Sequence, residues 1–168
     1  MKKLLVAVCL LVSMFGIAQE DKKLSAEDQE KMQKGMAMLF DSKIAMDIDA
    51  KVFPTNEGNT YFNEAQTAGI IGMLVPQTYE KLKAKMGEDV KKPGVTIIDK
   101  GETTLGGEKV LFQKAKREKD GQEVFVYVYC KKNDAESCLM ITSFFEKEKE
   151  NEMKPHIEKA VASAKLVK

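Results

Sequence analysis

The chain of 168 residues contains no tryptophan, a single histidine, four prolines and three cysteines. The scarcity of histidine removes a class of function. One histidine, His156, excludes a metal centre built on two imidazoles and leaves room for one histidine-based triad at most. None of Ser137, Ser143 and Ser163 lies in a Gly-Xaa-Ser-Xaa-Gly context, so a nucleophile elbow is absent. Charge of one sign is also missing. The 27 basic and 26 acidic residues leave a net charge of +1, which supplies no basic surplus for the phosphates of a nucleic acid. There is no repeat and no low-complexity segment. A length of this order is that of one domain.

The longest apolar run stands at the start. Lys2 and Lys3 precede Leu4 to Phe15, which only Ser13 interrupts, and Gly16-Ile17-Ala18 follow. A positive segment, an apolar run of about a dozen residues and small residues before a cut is the order of a secretory signal peptide. The run is too short to span ~30 Å of hydrocarbon. Cleavage is therefore expected between Ala18 and Gln19, giving a periplasmic or secreted protein with no transmembrane segment after cleavage. Cys9 lies inside the run rather than at its end, which argues against lipidation. Residues 19–168 then form a single α+β domain with its core at about 44–167. This mature chain has 25 basic and 26 acidic residues, a net charge of −1.

Ser25 with the acids that follow it reads as a helix start, and Met32, Met36 and Leu39 continue at helical spacing. From Ile44 the period changes to two through Phe53, which predicts a strand. Asn56 to Asn59 is a turn, Thr60 to Asn63 a short return strand, and Gly69 to Val75 a buried strand. Pro76 opens a helix whose Tyr79, Leu82 and Met86 share a face. Val95 to Leu105 and Lys109 to Arg117 are strands joined by Gly106-Gly107. Asp120-Gly121 is a second tight turn. Glu123 to Lys132 and Ser137 to Glu146 complete an antiparallel meander. Asn151 to Ala164 is a final helix with Met153, Ile157 and Val161 on its apolar stripe and Pro155 in its first turn. The third and fourth strands are apolar on both faces, so helices are expected on each side of the sheet.

The two cysteines of the mature chain, Cys130 and Cys138, fall on these two strands. Placed opposite one another they leave a three-residue turn, Asn133 to Ala135, and their Cα atoms come within reach of a disulfide. In an exported protein a structural bridge is the default for an even cysteine count. A catalytic dithiol would stand as Cys-Xaa-Xaa-Cys near a helix N-terminus.

The layout resembles the Mog1/PsbP-like proteins, including the DcrB-type envelope proteins. The resemblance rests on the early strands, the helix around Tyr79 to Met86, the stretch GVTIIDKGETTLGGEKVLFQKAKRE at 94–118, two further strands, and a terminal helix ending AVASAKLV at 160–167. It implies an antiparallel sheet between helical layers. It also implies a binding or accessory role without a shared catalytic motif.

The remaining candidates each have a structural alternative. His156 sits off the apolar stripe and reads as solvated surface. Asp47 and Asp49 share one strand face but lack the loop spacing of a calcium site. Met32, Met36 and Met38 could offer thioethers to Cu(I), yet their spacing is also that of a packing face. Glu146 to Glu152 reads as a solvated approach to the last helix. The expected function is that of an exported, non-enzymatic binding or accessory protein of the cell envelope. No catalytic residue, cofactor or metal ligand is assigned, and the partner would be an envelope protein or a small ligand, with no nucleic acid. The alternatives are a hydrolase-type enzyme with an unrecognised site and a methionine-based metal carrier.

Overall fold

The computed structural model describes residues 42–88, 94–119 and 122–167. The leader at 1–18, Met32, Met36 and Met38, and the Asp120-Gly121 turn lie outside the described residues. The element order is β1 (Ile44–Ala45), β2 (Thr55–Glu57), β3 (Thr60–Phe62), β4 (Gly69–Val75), α1 (Tyr79–Gly87), β5 (Val95–Leu105), β6 (Glu108–Lys119), β7 (Gln122–Lys132), β8 (Cys138–Glu146), α2 (Glu150–Ser163) and β9 (Lys165–Leu166). A 3-10 turn at Lys147–Lys149 joins β8 to α2.

Seven strands form one antiparallel sheet in the order β2-β3-β4-β8-β7-β6-β5, and β1 pairs with β9 in a separate two-stranded ribbon. The meander from β5 to β8 is as the sequence predicts. The β5–β6 turn depends on Gly106 and Gly107, whose φ values of 59° and 82° suit a two-residue hairpin. Gly106 has a second constraint. A Cβ there would sit 3.1 Å from the Cβ of Ala162, so the hairpin tip lies directly against the end of α2.

The central strands explain the layers. On one face Phe125, Tyr127, Tyr129, Leu139, Ile141 and Phe145 pack in a single core with Met153, Ile157, Ala160 and Val161 of α2. On the other face lie Val126, Val128, Cys130, Met140 and Thr142, all buried, and α1 covers this side with Leu82 and Met86. Burying each large apolar side chain contributes ~1.5–3 kcal/mol, so a sheet apolar on both faces holds a helix on each.

Four expectations are corrected. The strand predicted from Ile44 to Phe53 is limited to β1. The Lys51 N–H donates to the Asp49 carboxylate at 3.0 Å, and the N–H groups of Val52 and Phe53 donate to the Asp49 carbonyl at 3.0 and 2.9 Å. An aspartate that bonds its own local backbone replaces the ladder with a turn. Helix α1 starts at Tyr79 with Thr78 as its N-cap, not at Pro76: the Thr78 hydroxyl accepts from the Lys81 N–H at 3.3 Å. Pro155 is inside α2 rather than in its first turn, because the helix begins at Glu150.

The fourth correction concerns the cysteines. Cys130 opposes Met140, and Cys138 opposes Lys132, so the register differs by two residues from the predicted one. The turn spans Asn133 to Ser137, and the Asp134 carboxylate accepts from the N–H groups of Glu136 and Ser137 at 2.8 and 2.7 Å. That local anchoring favours the longer loop. The cysteines become diagonal neighbours, whose separation is about 7–8 Å against the ~5.5–6 Å between Cα atoms usual for a disulfide. Both are buried free thiols in the structure, and the expected Cys130–Cys138 disulfide is not present. Accordingly, the unreduced protein unfolded in guanidinium should take up an alkylating reagent at both Cys130 and Cys138, while the native protein should label far more slowly. A Cys130–Cys138 linked peptide in the mass spectrum would contradict the register.

Candidate functional site

Most charged clusters outside the turns fasten the segments that cover the sheet. On the α2 side, Lys131 is 7% exposed. Its ammonium donates to the carbonyls of Ala162 and Ala164, both at 3.2 Å, and meets the Glu108 carboxylate at 3.2 Å. A cation at the C-terminal carbonyls of a helix satisfies acceptors that have no partner within the helix. At the other end of α2, the Glu150 carboxylate accepts from the Lys114 ammonium at 2.6 Å and from the Tyr127 hydroxyl. Burial acts to raise the Glu150 carboxyl, but these two donors outweigh it and hold the group below its usual range. Burial first, and then the hydrogen bond to Glu150, push the Tyr127 phenol well above its ordinary value. The Lys114 ammonium also lies 4.3 Å from the centre of the Phe125 ring, in cation–π range.

His156, Asp47 and Asp49 come together here. Asp49 meets the His156 imidazole at 3.5 Å, and Asp47 meets the Lys159 ammonium at 3.0 Å. The Asp47 N–H donates to the Ser163 hydroxyl at 2.8 Å. The segment after β1 is thus fastened along α2 by two acids. His156 and the two aspartates lie at the surface as expected, Asp47 exposed and the other two half-buried, and each faces a partner on the other segment; the aspartates stand after β1 rather than on a strand. Ser137 is also engaged, its hydroxyl accepting from the Asn133 amide at 2.9 Å.

On the α1 side the centre is Glu102. Its carboxylate meets the ammonium groups of Lys83 and Lys109 at 3.3 and 3.2 Å and accepts from the Tyr79 hydroxyl at 3.1 Å. Lys109, then Lys83 and then Tyr79 hold the Glu102 carboxyl below its usual range. Lys100 donates to the carbonyls of Gly87 and Glu88 at 2.8 and 3.2 Å, closing the C-terminus of the same helix. At the far end of β7, Lys116 and Lys147 both bond Glu123 and lower its pKa to about 2. Exposed pairs of this kind add little net stability, because solvent screens them. They set where the helices lie, while burial holds them there.

Among the described residues no group of three His, Cys, Asp or Glu side chains is placed to hold a metal ion. A different group of side chains is drawn together by the register. Met73 opposes Met140, and Met140 opposes Cys130. Cys138 stands two residues before Met140, hence on the same face. All four are buried. Burial, with the Cys138 thiol beside it, pushes the Cys130 thiol far up; burial also raises Cys138. Sequence reasoning missed this group because it placed Cys130 against Cys138 and left Met140 against Val128. Nearby, Thr142 Oγ1 and Ser143 Oγ are buried without a hydrogen-bond partner among the described residues.

The fold defines an α+β sandwich: one antiparallel sheet with a helix on each face. No family model matches the sequence, and no curated protein matches it. Among solved structures, the crystal structure of LpqN, involved in cell envelope biogenesis of Mycobacterium tuberculosis, is similar with a TM-score of 0.51 and 13% identity. The match covers 74% of this chain and 83% of that one. PA94 from Pseudomonas aeruginosa, a protein of unknown function, gives 0.49 and 10% over 73% and 81%. The solution structure of cyanobacterial PsbP (CyanoP) from Synechocystis sp. PCC 6803 gives 0.44 and 8% over 75% and 94%. The likeness to LpqN is one of fold alone, an antiparallel sheet with helices.

The closure of α2 by Lys131 is directly testable. Lys131→Met keeps the apolar stem and removes the ammonium, leaving two helix-end carbonyls without their donor. Urea unfolding should show a loss of about 2 kcal/mol, whereas Lys109→Met, at a side chain 77% exposed, should leave the midpoint nearly unchanged.

Proposed function

We propose that the protein is an exported, non-enzymatic binding or accessory protein of the cell envelope. The observation that carries this reading is the order of the first eighteen residues, a basic start, an apolar run and a small-residue cleavage site. Two further facts support it. The first is fold likeness to LpqN, a protein involved in cell envelope biogenesis. The second is the use of the charged side chains: Glu102, Glu123, Glu150, Lys131 and His156 are engaged in contacts that fasten the fold. A catalytic acid or base needs a positioned partner and an approach for substrate, and each of these groups spends its contacts on a partner within the fold. Among the described residues no helix is long and apolar enough to cross a membrane. Recognition then rests on shape and local contacts rather than on a steering field, given a mature net charge of −1.

Expression of the full chain in a bacterium tests the reading. The protein should be recovered from the envelope fraction with an intact mass starting at Gln19, and Leu10→Arg should retain the uncut chain in the cytoplasm. Turnover of an ester, peptide or phosphate substrate that is lost on Glu102→Gln or His156→Ala would replace it with the hydrolase reading. Recovery of uncut chain from the cytosol would remove the export step.

A further inference from the structure

We infer that Cys130, Cys138 and Met140, with Met73 beside them, form a binding site for a soft monovalent ion, Cu(I), on the α1 face of the sheet. The site is independent of the accessory reading and of the leader, and the two proposals fail separately.

The argument starts from the pairing register. Met73, Met140 and Cys130 stand in a row across β4, β8 and β7, each directly opposite the next. Neighbouring strands are ~4.8 Å apart, and opposed side chains on one face have Cβ atoms about 4.5–5.5 Å apart. Cys138 lies on the strand of Met140, two residues away and on the same face. Met140 is thus the corner of a triangle whose other corners are the two thiols. A metal–sulfur bond is ~2.3 Å, so sulfurs that approach to about twice that distance can share one ion.

The chemistry of the donor set selects the ion. Thiols and thioethers are soft ligands, which favour Cu(I). No imidazole or carboxylate completes a Zn(II) set here, since no metal-holding group of His, Cys, Asp or Glu is found among the described residues. The four residues are no more than 8% exposed, which keeps water from the ion. Cys138 begins β8 next to the Asn133–Ser137 turn, so the site lies at the hairpin end of β7 and β8. Binding displaces thiol protons to solvent. The copper enters and remains as Cu(I), so no electron is transferred.

Packing alone would also place small thiols and methionines in a core, and the experiment separates the two. The full chain, reduced and kept anaerobic, is titrated with Cu(I) held by bicinchoninate. The expected result is withdrawal of one Cu(I) per chain and an X-ray absorption spectrum with only sulfur in the first shell. Cys130→Ser with Cys138→Ser should abolish withdrawal. Met140→Leu, close in volume and tolerated in cores, should weaken retention by about tenfold or more, since loss of even a supporting partner costs about that. Met32→Leu, Met36→Leu and Met38→Leu together should change nothing. Should the double serine variant not fold, Met140→Leu and the sulfur-only spectrum of the native chain carry the test. A native chain that leaves copper with the chelator would overturn the inference. Retention that survives loss of both thiols, or that vanishes with Met32, Met36 and Met38 instead, would overturn it equally.

Discussion

Strands β7 and β8 cannot face water on either side, and the rest of the structure answers to that constraint. Phe125, Tyr127, Leu139, Ile141 and Phe145 point to one face; Val128, Cys130, Met140 and Thr142 point to the other. A sheet of this kind is stable only between two covering layers. Helix α2 meets one face with four buried side chains, and α1 meets the other with Leu82 and Met86. The flanking strands then fall into grades. β4 is nearly as buried as β8, whereas β5 at the edge alternates between half-buried and exposed positions. Its bulge at Ile97/Asp99 and its charged Asp99, Lys100 and Glu102 are features that discourage a further strand from adding there.

The charged groups belong to a second level of the same design. Helices pressed on a flat apolar surface could slide or turn, because apolar contact has no direction. Ion pairs and charge-assisted hydrogen bonds supply that direction at little net energy. Lys131 fixes the end of α2, Glu150 its start, and Glu102 fixes α1 against β5. His156 and Lys159 extend the fastening to the segment carrying Asp49 and Asp47. The two helix ends stay closed as long as these groups remain charged. Glu123, with its pKa lowered to about 2 by Lys116 and Lys147, keeps its pairs through the mildly acid range. Its contribution is present above the unfolded carboxylate value and is lost as pH falls towards 2.

Much of this was legible from alternation and turn chemistry. Gly106-Gly107 announced its hairpin, β4 was bounded by its own apolar run, and two-sided strands demanded two helical layers. What stayed hidden has a physical reason. A slip of two residues preserves every side chain's face, so the apolar pattern of β7 and β8 fits the predicted register and the observed one equally well. The Asp134 side chain, which accepts from two backbone N–H groups in the turn, decides between them. Asp49 likewise forms a turn over 49–53, where alternation alone would have continued a strand to Phe53. In both cases a short acidic side chain, bonding its own backbone, overrode a period. The same slip hid the sulfur group, because it exchanges a thiol–thiol pair for Cys130 against Met140. The contacts of His156, Asp47 and Asp49 depend on a helix and a segment more than 100 residues apart, which no local pattern encodes.

Amide hydrogen exchange, read residue by residue in the native protein, tests the central constraint most directly. Covering on both faces predicts that the β7 and β8 amides from Val126 to Tyr129 and from Leu139 to Ser143 exchange only through global unfolding. Amides along β2 and β5 should exchange by local opening, orders of magnitude faster. If the β8 amides exchanged as readily as those of β5, or if one face of β7 and β8 proved open to solvent, the account of a sheet held between two helices would be contradicted.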